Sequence, residues 1–190
     1  MLSAGTQMLT GGDEYLRSIQ CNNNPYNLDS IANWLSFDWN VDQKNFYSFV
    51  KGMIEFRKNH PSLRPANFYQ PTDTNGNFME QLRWFKPDGD LATGDYFNDV
   101  NNHALAYRID SSEFSEPTAA IYVAYNGWSG NVNFTLPWPG AGKNWYRVTD
   151  TSNWNDGANS VKTAGTEDFI GGEYTSYGLG GRAILVLIAK

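Results

Sequence analysis

The chain is 190 residues long, 41% hydrophobic and 15% aromatic, with a formal net charge of −6. That length and apolar content suffice for a buried core in one or two domains, while the acidic balance and the lack of any basic run speak against nucleic-acid or anionic-membrane partners. A single cysteine, Cys21, excludes an internal disulfide and a multi-cysteine zinc site, and no apolar run is long enough to span a bilayer.

The opening Met1-Leu2-Ser3-Ala4-Gly5 has neither a basic n-region nor a long apolar stretch, so no secretory leader is expected there. Gln7-Met8-Leu9-Thr10 reads as a strand end. It runs into Gly11-Gly12, the acidic pair Asp13-Glu14, and then Asn22-Asn23-Asn24-Pro25-Tyr26-Asn27-Leu28-Asp29 and Asn33-Trp34-Leu35. Such a loop offers hydrogen-bond donors, acceptors and flat ring faces together, which suits a sugar with its hydroxyl rim and C–H faces. Asparagines also build turns through their own side chains, so part of the loop is expected to be scaffold. Adjacent acids on an extended chain point to opposite faces, so Asp13 and Glu14 are expected to hold the loop or pair with Arg17 rather than act together as an acid/base pair. Ser30–Trp34 carries a weaker helical pattern, and Trp34 is expected in the core.

Residues 45–58 read as an amphipathic helix, with Phe46, Phe49, Val50, Met53, Ile54 and Arg57 at helical spacing. Asn40 with Gln43, or Asp42 with Asn45, is placed to cap its start. Asn59-His60-Pro61 should end it, because the residue before proline is pushed away from helical angles, and His60 is expected to cap carbonyls there.

After Pro65 the texture changes to short runs between turn residues. Candidate strands are Gln81–Lys86, His103–Asp110, Ala119–Asn126, Asn131–Leu136, Asn144–Asp150 and Arg182–Ala189, separated by Pro87-Asp88-Gly89-Asp90, Asn126-Gly127-Trp128-Ser129-Gly130 and Pro137-Trp138-Pro139-Gly140. The last strand is apolar throughout, as expected when both faces are covered. The pattern predicts an antiparallel sandwich of roughly six to eight strands. Charge divides in the same way: residues 1–66 carry six basic and six acidic residues, and residues 67–190 eight basic and fourteen acidic ones. Of Trp128, Trp138, Trp145 and Trp154, two or three are expected in the core and the rest in turns, with a glucan platform as the alternative. His60 and His103 lie too far apart in sequence to suggest a metal site; Asp150–Asp156 supplies oxygen ligands of the kind calcium takes, but without EF-hand spacing. No metal and no cofactor is assigned.

The N-terminal part is physically incomplete. One strand cannot satisfy its own backbone groups, and one helix buries its stripe only against something else. A strand, a long loop, a helix and then a separate β domain match the last unit of a (β/α)8 barrel, whose functional loops leave the C-terminal strand ends.

These residues carry a family resemblance. Gly5-Thr6-Gln7-Met8-Leu9, Gly12-Asp13-Glu14-Tyr15, Arg17, Asn22-Asn23-Asn24-Pro25-Tyr26-Asn27 and Asn33-Trp34-Leu35 resemble strand eight and its loop in the isoamylase and glycogen-debranching branch of the α-amylase superfamily. Phe56-Arg57-Lys58-Asn59-His60-Pro61-Ser62-Leu63-Arg64 is similar to the end of that family's last barrel helix. Arg83-Trp84-Phe85, Pro87-Asp88-Gly89 and His103-Ala104-Leu105-Ala106-Tyr107-Arg108 are similar to the opening of its C-terminal sandwich. The resemblance implies an α+β fragment: residues 1–66 the end of the (β/α)8 catalytic barrel, residues 67–190 an all-β antiparallel C-terminal sandwich. It implies a retaining hydrolase of α-1,6 branch points in glycogen- or starch-type α-glucans, whose catalytic carboxyl groups lie on earlier barrel strands, so no catalytic residue is assigned here. Asn23, Asn24, Tyr26 and Asp29 are the expected substrate-binding residues, and the expected partners are an α-glucan and the remainder of the barrel, in the same or a separate chain. A free-standing glucan-binding module is the rival reading. The triple-asparagine loop argues, by resemblance, against a branching or trehalose-forming enzyme.

Overall fold

A computed structural model of the chain describes residues 1–153 and 160–190. Trp154 and part of the Asp150–Asp156 loop therefore lie outside the described residues. The architecture is mostly antiparallel sheet with few helices. Eight strands are described: β1 (Leu82–Phe85), β2 (Ala104–Asp110), β3 (Ala120–Asn126), β4 (Val132–Thr135), β5 (Trp145–Asp150), β6 (Asp168–Gly171), β7 (Ser176–Leu179) and β8 (Ala183–Ala189). Six form one sheet in the order β1-β2-β3-β8-β5-β6, and β4 pairs with β7 in a second, two-stranded layer. Every pairing is antiparallel.

The large sheet is covered on both faces, and strand alternation explains how. In β3 and β8, Tyr122, Ala124, Leu185 and Leu187 face one way. They join Phe134 and Leu179 of the small sheet, with Trp145, in a buried sandwich core. Ile121, Val123, Val186 and Ile188 face the other way and meet Met53, Phe56 and Leu63. Ile121 lies opposite Ile188 and Val123 opposite Val186, so β-branched cross-strand pairs make the helix-facing surface. The terminal apolar run is thus a central strand sealed on both sides, as its sequence predicts.

Helix α1 spans Val41–Asn59 and supplies that second cover. Asn40 accepts the Gln43 backbone N–H while the Gln43 side chain accepts the Asn40 N–H, a complete capping box. The helix ends where proline requires: His60 is its C-cap, and His60 Nδ1 lies 2.7 Å from the Phe56 carbonyl oxygen. Met53, Phe56 and Arg57 are buried, whereas Ile54, expected on the apolar stripe, is exposed. Arg57 donates to the carbonyls of Met1, Ser3 and Gly5 at 2.6–2.8 Å, strapping the opening segment onto the helix. Helix α2 is a five-residue turn, Gly94–Asn98, after β1.

Three expectations change. Gln7–Thr10 joins no sheet among the described residues, because no neighbouring strand from this chain lies beside it. Ser30–Trp34 is a series of turns, and Trp34 is 65% exposed because nothing in this chain covers it. Strands β6 and β7 are additions to the six candidate strands. Among the described residues no helix is long and apolar enough to cross a membrane.

Candidate functional site

The loop between Thr10 and Asn40 is built on two scaffolds. The first is a left-handed turn at Gly12 (φ 100°), followed by a 3-10 turn over Asp13–Tyr15. A β-carbon at Gly12 would lie 2.6 Å from Arg17 Cδ, so the position requires glycine on both backbone and steric grounds. Glu14 folds back to accept the Gly12 N–H at 2.8 Å. Arg17 donates to the Gly11 carbonyl at 3.2 Å rather than pairing with either acid. Asp13 and Glu14 lie in a tight turn, not on extended chain, and Glu14 is a loop-holding residue.

The second scaffold is aromatic. Tyr15 is buried and stacks on Trp39 at 4.6 Å between ring centroids, and Trp39 packs against Tyr47 of α1 at 4.9 Å. Trp39 also donates from Nε1 to the Ser36 carbonyl at 2.9 Å. This column ties both ends of the loop to the helix. It is not among the features expected from sequence, although the spacing of Trp39 and Tyr47, two helical turns apart across the cap, is a visible signal.

Between these anchors sit the four expected binding residues, Asn23, Asn24, Tyr26 and Asp29, all exposed on one short stretch. Asn22 does not present itself to solvent in the same way: its Oδ1 accepts the Asn24 N–H at 2.8 Å, a side-chain turn that shapes the run. A 3-10 turn over Pro25–Asn27 follows. Asn33 clamps it from below, its Nδ2 donating to the Pro25 carbonyl at 2.6 Å and to the Leu28 carbonyl. Tyr26 is 85% exposed. The side chains of Asn23, Asn24, Tyr26 and Asp29 make no hydrogen bond among the described residues, so their polar atoms and the tyrosine ring are free for a ligand. The tripled asparagines therefore serve different ends, for Asn22 folds the loop while Asn23 and Asn24 are left outward.

No group of three or more His, Cys, Asp or Glu side chains converges as a metal site among the described residues. Asp150 is engaged internally, accepting from Ser152 N and Oγ and from the Tyr177 hydroxyl. His103 packs edge-on against Trp128, with ring centroids 4.5 Å apart. Trp145 is fully buried and donates to the Pro137 carbonyl at 2.7 Å, Trp138 packs against the core, and Trp128 is half exposed in its turn.

Residues 81–188 match the family model described as isoamylase, C-terminal. Over all 190 residues the chain is 62% identical to an isoamylase of Flavobacterium sp and 52% identical to an isoamylase of Pseudomonas amyloderamosa. It spans about a quarter of the length of these curated relatives, 24% and 23%. Among solved structures it resembles a pullulanase from Paenibacillus barengoltzii in complex with maltohexaose and alpha-cyclodextrin. That likeness has a TM-score of 0.62 at 21% identity, over 98% of this chain and 23% of that one.

Proposed function

The chain belongs to the isoamylase C-terminal family, and on that premise we propose that it is the C-terminal portion of a retaining glycoside hydrolase acting on α-1,6 branch points of glycogen- or starch-type α-glucans. Residues 1–66 are the end of the catalytic (β/α)8 barrel and residues 67–190 its stabilising sandwich. The observation that carries this reading is the 62% identity to an isoamylase across the whole chain, exposed loop included. An unpaired Gln7–Thr10 and a bare apolar surface beside it support a missing barrel, supplied by the same or a separate chain. The pullulanase relative's oligosaccharide complex makes an α-glucan the fitting ligand.

In this reading the chemistry belongs to carboxyl groups upstream, and the loop positions the substrate. Asn23 and Asn24 exchange hydrogen bonds with sugar hydroxyls, Tyr26 offers a ring face to the sugar's C–H face, and Asp29 accepts from a hydroxyl. Asn22, Asn33, Gly12 and the Tyr15–Trp39–Tyr47 column hold that geometry in advance, which is how binding energy becomes rate.

The test is a chimera in which this chain replaces the matching region of the Flavobacterium isoamylase. The chimera should release linear chains from amylopectin, the 190-residue chain alone should release none, and Tyr26→Ala or Asp29→Ala in the chimera should lower kcat/KM on the order of tenfold. A folded chimera without activity, or one indifferent to both substitutions, overturns the assignment.

A further inference from the structure

The β-sandwich carries a second cleft, of about 380 Å3, far along the sequence from the loop and lined by Phe78, Glu80, Arg108, Trp138, Glu173 and Tyr174 among others. Its two rim aromatics are unusual in the same two ways. Phe78 is 85% and Tyr174 77% exposed, and both hold left-handed backbone angles, φ 66° and 63°. Bulky side chains rarely adopt that region, and doing so costs on the order of 1–3 kcal/mol. Neither ring repays that cost by packing into the core.

The surroundings enforce both conformations. Asp73 accepts four successive N–H groups, from Asn75, Gly76, Asn77 and Phe78, at 2.7–3.3 Å. The Tyr174 N–H is held by the Leu136 carbonyl at 2.9 Å. Two separate turns thus present an exposed ring each to one cleft.

Below them lies Arg108, only 5% exposed. Its Nη1 donates to the Trp138 carbonyl at 2.9 Å, its guanidinium lies 5.6 Å from the Phe85 ring centroid, and Nη2 stands 3.8 Å from Glu80. Its Nε has no hydrogen-bond partner.

We propose that this cleft is a second α-glucan-binding site, in which Phe78 and Tyr174 stack on glucosyl faces while Arg108, Glu80 and Glu173 engage hydroxyls. Exposed ring faces beside two guanidinium groups, Arg83 and Arg108, and four carboxylates, Glu80, Asp88, Asp90 and Glu173, of which Glu80 pairs with Arg83 and both aspartates with Lys86, match a polyhydroxyl ligand with apolar ring faces. Its volume lies within the roughly 300–1,000 Å3 of small-ligand sites, enough for a short stretch of linear chain. The site would hold the polymer on the sandwich while the substrate-positioning loop meets a branch point, raising local substrate concentration. The choice of glucan as ligand rests on the function proposed above.

The experiment uses the 190-residue chain, titrated with maltoheptaose by calorimetry, with migration through amylopectin gels as a second readout. Phe78→Gly with Tyr174→Gly removes both rings and both strained backbones at once. The double variant should bind maltoheptaose on the order of tenfold more weakly with Tm unchanged or raised, while Phe169→Ala, an exposed ring outside the cleft, should leave this binding intact. No binding by the wild-type chain, or binding that the double variant keeps, overturns the proposal. Branch-point activity of the chimera is read separately, so a chimera that works despite an empty cleft removes only this site, and a cleft that binds beside an inactive chimera removes only the catalytic assignment.

Discussion

Asp73 shows how one exposed side chain can fix the backbone of a whole turn. Desolvation opposes its charge, but four backbone N–H bonds outweigh that and hold its pKa below the ordinary 3.8. A depressed carboxylate pKa stabilises the folded state above the unfolded value, and that contribution disappears as the pH falls through the lower folded value. Asp73→Asn replaces one acceptor oxygen with an NH2 group, which cannot accept a bond such as that from Phe78. The urea midpoint of the wild-type chain should therefore exceed that of Asp73→Asn at about pH 7, and the gap should close as the pH is taken below 3.8. A gap that stays constant through acid would show that the charge contributes nothing to the turn. The same scale explains what the sequence exposes and what it hides. Asn23, Asn24, Tyr26 and Asp29 are legible as a polar and aromatic cluster, and all four are exposed. That Asn33 serves the backbone is invisible in the residue type alone, because it depends on carbonyls at Pro25 and Leu28 brought within reach by folding, whereas Asn22 closes a local turn on the Asn24 N–H, as asparagines commonly do.

Helix α1 is the element that joins the two parts of the chain. Its stop is legible in sequence, since an X-Pro step acts through neighbours, whereas its start is legible only as one of two candidate caps: Asn40 with Gln43 is the one used, and the helix begins at Val41, four residues ahead of the expected 45. Its partner is not, because the face of Met53 and Phe56 meets Ile121, Val186 and Ile188, some seventy to a hundred and thirty positions away. Phe56→Ala should destabilise the chain by about 3–5 kcal/mol through the cavity left against the sheet. Asn40→Ala should cost about 1 kcal/mol, since only the cap is lost. Urea unfolding followed by circular dichroism separates them, and equal effects would deny the helix its role as the sheet's second cover. The six strands read from sequence are all present within a residue or two of their expected bounds. Strands β6 and β7 escaped because each is four residues long, contains a glycine and carries little apolar pattern. At Gly178 the small residue has a packing reason: a β-carbon there would lie 3.2 Å from Asn133 Oδ1 on the paired strand β4.

At the scale of the molecule the apolar surface is lopsided. The sheet is sealed on both faces, yet Met8 (94% exposed), Ile31 (76%), Phe37 (74%), Val41 (67%) and Trp34 all project from the first forty-odd residues. Single exposed apolar residues are ordinary, but a concentration of large ones in one region marks a surface made to be covered. The loop is well braced internally by the Tyr15–Trp39 stack, so this bareness does not come from local unfolding. Under the barrel reading the missing cover is the rest of the catalytic domain, and the chain without it should be adhesive. Sedimentation of the 190-residue chain should show concentration-dependent self-association, which Ile31→Lys with Trp34→Lys should suppress. Phe169→Lys, at a comparably exposed position on the edge strand β6, should leave association unchanged. Location decides the difference, since hydrophobic association scales with contiguous apolar area and not with any one side chain. A chain that stays monomeric at high concentration would mean that this surface is not an interface, and with it the strongest structural support for a missing barrel would be lost.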